Sequence, residues 1–172
     1  MAERQERTAP DAVLTRIGQV VMLHHAGDRE EARRRLLDLW AEIGEHGEPL
    51  HRCTLAHYLA DTQDDPSDEL AWDLRALSAA DEAEEADGAE GAVGLRGFYP
   101  SLHLNLAADY VKLGRTEAAR SHLHRARGAA TALGDDGYGD GVRAAISRLA
   151  LRLENDGDPG SDSWGPPRQR PE

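Results

Sequence analysis

The 172-residue chain carries a net charge of −12 and only 5% aromatic residues, which argues against a nucleic-acid surface, because binding phosphates needs a basic field. Its apolar content rests mainly on Leu and Ala, a composition that suits close-packed helices better than a strand-rich sandwich. A single cysteine, Cys53, excludes an internal disulfide and points to a reducing cytoplasm; the charged start "MAERQERTAPD" lacks a secretory apolar core, and no run of about eighteen apolar residues predicts a membrane span.

Seven helices are predicted in chain order. The first runs from about Pro10 to Ala26 and ends at Gly27. The second is capped by Asp28, with Glu31 placed as in a capping box, carries Ala32, Leu36, Leu39 and Ile43 on one face, and stops at Gly44. Pro49 opens the third, which sets Leu55 and Leu59 one turn apart. Asp65 and Pro66 open the fourth, whose expected apolar line is Leu70, Leu74 and Leu77. The fifth starts at Pro100, the sixth just after Gly114, and the seventh near Asp140; the spacing leaves 81–90 open between helix and loop. With no alternating strand pattern between these helices, the predicted class is all-α.

The second, fourth and sixth helices share one pattern at i, i+4, i+7: Ala32-Leu36-Leu39, Leu70-Leu74-Leu77 and Ala119-Leu123-Ala126. The helices before them pair a smaller residue with a larger anchor, as Val20-Leu23, Ala56-Leu59 and Ala107-Tyr110. Helix pairs that are apolar on one side bury that side by stacking, so the pattern predicts three hairpins, about 10–44, 48–86 and 99–134. The last helix, 140–154, sets Val142, Ile146, Leu149 and Leu153 on one face and Arg143, Ser147 and Glu154 away from it, which reads as a cap. Residues 1–9 and the Gly/Pro-rich 155–172 are expected to be disordered. Trp164 in that tail is a candidate docking element or an uninvolved bystander.

These residues resemble the tetratricopeptide repeat (TPR). The third unit carries the motif best, in Leu106, Ala107, Tyr110, Gly114, Ala119, Leu123 and Ala126. The first unit matches through "GDREEARRRLLDL" but has Gln19 where the motif wants a large apolar residue. Arg16, Arg52 and His103 replace the motif's early Trp, and the second unit lacks the turn glycine. The resemblance covers about 11–154 and implies a right-handed α-solenoid with a concave groove lined by the first helix of each pair. Carried over by position, the groove residues are Leu14, Ile17, Val21 and His24; Cys53, His57, Ala60 and Asp61; and Leu104, Asn105, Ala108, Val111 and Lys112. The Lys and Asn that some TPR proteins use to clamp an acidic C-terminus are here Ile17 and Val21, so a chaperone-tail function is not expected.

The implied function is a non-enzymatic adaptor or regulator in a bacterial cytoplasm that binds a peptide or amphipathic helix of another protein, with no cofactor, nucleic acid or membrane. Lys112 is the lone lysine among 20 basic residues, a bias that fits a GC-rich bacterial genome. A second reading is self-association, to a homodimer through the groove or through the charged ends: residues 61–90 hold twelve acids and one base, Arg75, whereas 101–153 hold eight bases and five acids. A third is a helical metal protein or small enzyme using His24, Cys53 and His57, since Cys53 and His57 lie four apart on one helix. Two other spacings fail on chemistry. "DDGYGDG" has Tyr138 and Ser147 where a calcium loop needs oxygen acids, and "GAEGAVGLRG" follows no strand and precedes no Gly-Lys-Ser/Thr.

Overall fold

The computed structural model describes residues 11–91, 95 and 97–156, with side chains for all of these except 86–91 and 156. They form seven helices and no strand: α1 (Ala12–His25), α2 (Arg29–Ile43), α3 (Pro49–Asp61), α4 (Pro66–Gly91), α5 (Tyr99–Lys112), α6 (Thr116–Ala130) and α7 (Gly137–Asp156). None is long and apolar enough to cross a membrane. Residues 155 and 156, expected in the disordered tail, are instead the last of α7, and the rest of the expected disordered ends, with Trp164, lie outside the described residues.

Local chemistry sets most of the boundaries. The Asp11 carboxylate accepts from the Val13 and Leu14 N–H groups and starts α1 at Ala12, two residues past Pro10. Asp28 accepts from the Glu31 N–H at 3.4 Å, but Glu31 turns outward to Arg34 and Arg35, so only half of the expected capping box forms. Pro49 and Pro66 stand at the first positions of α3 and α4. Gly27 and Gly114 end α1 and α5 with φ of 99° and 72°, a conformation that costs any residue with a Cβ. The helix α4 runs through the acidic 81–90 stretch to Gly91, so that segment is helical. The starts of α5 and α7 fall one and three residues earlier than expected.

Each helix packs on the next in sequence, and in addition α1 packs on α3 and α5 on α7. Burial is divided into three clusters strung along the chain. The first joins Ile17 and Val20 of α1, Ala32, Leu36 and Leu39 of α2, and Leu55 and Leu59 of α3. The second joins Cys53 and Ala56 of α3 with Ala76, Ala79, Ala80 and Ala83 of α4, Leu95, and Leu102 of α5. The third joins Ala107 of α5 with Ala119, Leu123 and Ala126 of α6 and Val142, Ile146 and Leu153 of α7. Trp40 and Trp72 lie against both the first and second clusters, in an edge-to-face contact with ring centroids 5.1 Å apart.

One expected stripe is corrected. In α4 the line Leu70-Leu74-Leu77 lies beside the buried face, and Leu74 is 40% exposed. The face turned inward is Asp73, Ala76, Ala80 and Ala83, at i, i+3, i+7 and i+10. Alanine on that face removes the bulk that would hold α3 and α5 apart, so both approach α4 closely.

Candidate functional site

The first helices of the expected hairpins are α1, α3 and α5, and their side chains divide into two groups. Ile17 and Cys53 are fully buried, in the first and second clusters, and Ala60 is buried with them. This corrects their placement as groove residues: each helix is covered on more than one side, so an apolar position on it can belong to the packed centre. Leu14, Val21, His24, His57, Leu104, Asn105, Ala108 and Val111 are half-buried, and Asp61 and Lys112 are exposed.

Polar contacts tie these positions together. The Asn105 Nδ2 of α5 lies 3.3 Å from His57 Nδ1 of α3, bridging two helices that are far apart in sequence. Burial holds His57 toward its neutral form, and the charge of Asp61 one turn on opposes that effect. Lys112 donates to both carboxylate oxygens of Glu69 on α4, at 3.1 and 2.9 Å. Between α5 and α7 lies an open cleft of about 360 Å³, lined by Leu104, Asn105, Ala108, Leu149, Arg148 and Arg152.

The expected metal trio does not assemble. Among the described residues, three-ligand groupings occur at Asp11, Glu48 and His51 and at Glu69, Asp73 and Asp109, and neither includes His24, Cys53 or His57. Burial, reinforced by the charge of Asp81, pushes the Cys53 thiol up to about 12. A thiol so far from its thiolate is neither a ready ligand nor a nucleophile. His51 is occupied by Asp11, with Nε2 2.6 Å from Oδ2.

The grouping of Glu69, Asp73 and Asp109 is the arrangement that spacing in the sequence does not suggest. Glu69 and Asp73 stand one turn apart on α4, Asp109 comes from α5, and an oxygen of each lies within 4.8 Å of the others. Asp73 and Asp109 are 1% and 0% exposed. Apart from the carboxyls of the grouping itself, no donor reaches Asp73 Oδ1 or either oxygen of Asp109. Desolvation, with the neighbouring carboxyl adding to it, raises the Asp73 carboxyl far above the usual carboxylate range, and burial lifts Asp109 to about 7. The hint in the sequence is Asp109 itself, an acid set among Leu106, Ala107, Ala108 and Val111 on a helix that is otherwise largely apolar.

Comparison of the chain with family models, with curated proteins and with solved structures finds no match.

Proposed function

We propose that the chain is a TPR-like solenoid acting as a non-enzymatic adaptor or regulator, whose first-helix face holds an amphipathic helix or peptide of a partner protein. The observation that carries this reading is incomplete burial on one side of α1 and α5. Leu14 and Val21 on α1, and Leu104, Ala108 and Val111 on α5, keep part of their apolar surface open beside Asn105, Asp61 and Lys112. Apolar side chains left half-covered next to a few fixed polar groups form the kind of surface on which an amphipathic helix lays its apolar stripe. Arg148 and Arg152 of α7 stand at the rim of the α5–α7 cleft. They favour a ligand with carboxylates flanking its apolar positions.

Selection of helical peptides from a random library against the full chain tests the reading. The expected binders are acidic and amphipathic, and they lose affinity when Leu104→Glu or Arg148→Glu is introduced into the folded protein. Binders indifferent to both changes would place recognition elsewhere and overturn the assignment of the face.

Self-association is a second reading, favoured by two large apolar residues on the first and last helices, Met22 at 72% and Leu151 at 60% exposure. Light scattering separates it from the first: a dimer that dissociates on Leu151→Lys supports it, and a monomer at all concentrations removes it.

A further inference from the structure

We propose that Glu69, Asp73 and Asp109 hold a hard divalent cation of the Mg²⁺, Mn²⁺ or Ca²⁺ class at the junction of α4 and α5. The feature that separates this grouping from an ordinary surface acid cluster is Asp109. It is wholly buried, and both of its carboxylate oxygens lack any donor from outside the grouping. A buried polar atom without a partner is costly, and more so when charged, so two on one side chain call for an occupant. The exposed grouping of Asp11, Glu48 and His51 gives the contrast. There Asp11 already caps α1 and bonds His51, and its oxygens have nothing left to satisfy.

The donor set selects the occupant. Three carboxylates within 4.8 Å of one another, with no imidazole or thiolate among them, suit a hard cation with oxygen preference rather than zinc or copper. When ionised they carry three negative charges. Lys112, bound to Glu69, offsets one, and a divalent ion matches the remainder. A proton shared between Asp73 and Asp109 is the alternative occupant. It joins Asp73 to Asp109 alone, whereas a cation accepts lone pairs from all three residues together. Glu69 keeps 19% of its side chain exposed and its partner Lys112 is half-exposed, so the cluster has a route to solvent through that edge.

Full-length chain stripped with chelator and titrated calorimetrically with MgCl₂, MnCl₂ and CaCl₂ tests the proposal, with thermal melting in parallel. One saturable site per chain for at least one of these ions, with a rise in melting temperature, is expected. Glu69→Gln, at a partly exposed position that tolerates the change, should weaken binding at least about tenfold. Asp109→Asn should abolish it, and Glu48→Gln, in the surface grouping, should leave it unchanged. The absence of a saturable site for all three ions overturns the proposal and leaves the shared proton. Binding that survives both Glu69→Gln and Asp109→Asn, or that is lost in Glu48→Gln, overturns it by placing the ion elsewhere. If Asp109→Asn does not fold, Glu69→Gln decides alone.

Discussion

His103 of α5 and His122 of α6 face one another with their Nδ1 atoms 3.1 Å apart, and Tyr110 stacks on the far side of His122 at 5.5 Å between ring centroids. The separation requires one nitrogen to donate and the other to accept, so the contact needs at least one neutral ring. Burial first, then the neighbouring His122 charge, holds His103 down to about 4, and burial also lowers His122. Between that value and the ordinary 6.5 the unfolded chain binds more protons than the folded one, so stability rises with pH. The contribution is complete above about pH 6.5 and is lost as pH falls toward 4; for His103 it amounts to roughly 1–3 kcal/mol. In urea melts from about pH 7 to about 4.5 the wild type should lose more stability toward acid than His103→Leu by this amount; the raised Asp73 and Asp109 carboxyls add a slope of opposite sign that both proteins share. An equally steep loss in the variant would assign the slope to other groups.

The Trp40–Trp72 contact makes a prediction of a different kind. Both rings lie against two clusters at once, and Arg75 stacks over Trp72 with its guanidinium carbon 4.4 Å from the ring centroid. Trp40→Ala should cost about 3 kcal/mol in chemical denaturation, from lost burial and an unfilled gap between α2 and α4. It should also broaden the transition, because it loosens the first cluster from the second. A sharp, unshifted transition would show that the pair does not join them.

Glycine-to-alanine changes should have opposite signs at two positions. Gly114 has φ of 72°, and a Cβ there strains the backbone, so Gly114→Ala is expected to destabilise by about 1 kcal/mol. Gly18 sits inside α1 with open space around the site of an added Cβ. Gly18→Ala should therefore stabilise by about 0.5–1 kcal/mol through helix propensity. Paired thermal melts check both.

In chelator-treated protein above about pH 7, Asp109→Asn should raise stability by about 1 kcal/mol, since burial lifts the Asp109 carboxyl to about 7 and the amide removes the buried charge it carries above that pH. Denaturant midpoints of the stripped wild type and variant give the comparison, and a marked loss in the variant would show that the Asp109 carboxylate is satisfied in the ion-free protein.

How much of this is legible in the sequence depends on the range over which each feature is determined. Pro49, Pro66, Gly27 and Gly114 act through the backbone of their own neighbours, and the helix boundaries follow from them. The inward face of α4 is not local. Leu70, Leu74 and Leu77 outrank the alanines in apolarity, yet the approach of two neighbours selects the small residues, and with them Asp73. Ile17 and Cys53 are alike in this respect, because the sequence does not tell an open wall from a covered one on a helix that is apolar over much of its circumference. Asp73 and Asp109 lie on separate helices, and only packing brings their oxygens together.

The division of the interior into three clusters also governs how the chain acquires its shape. The first cluster draws on residues 17 to 59 and the third on residues 107 to 153, so neither requires distant parts of the polypeptide to find each other. Chains dominated by such nearby pairings close short loops and fold fast. During synthesis, Ile17, Leu36 and Leu59 can come together before Leu123 has left the ribosome, and the later helices are then added to a surface that already exists.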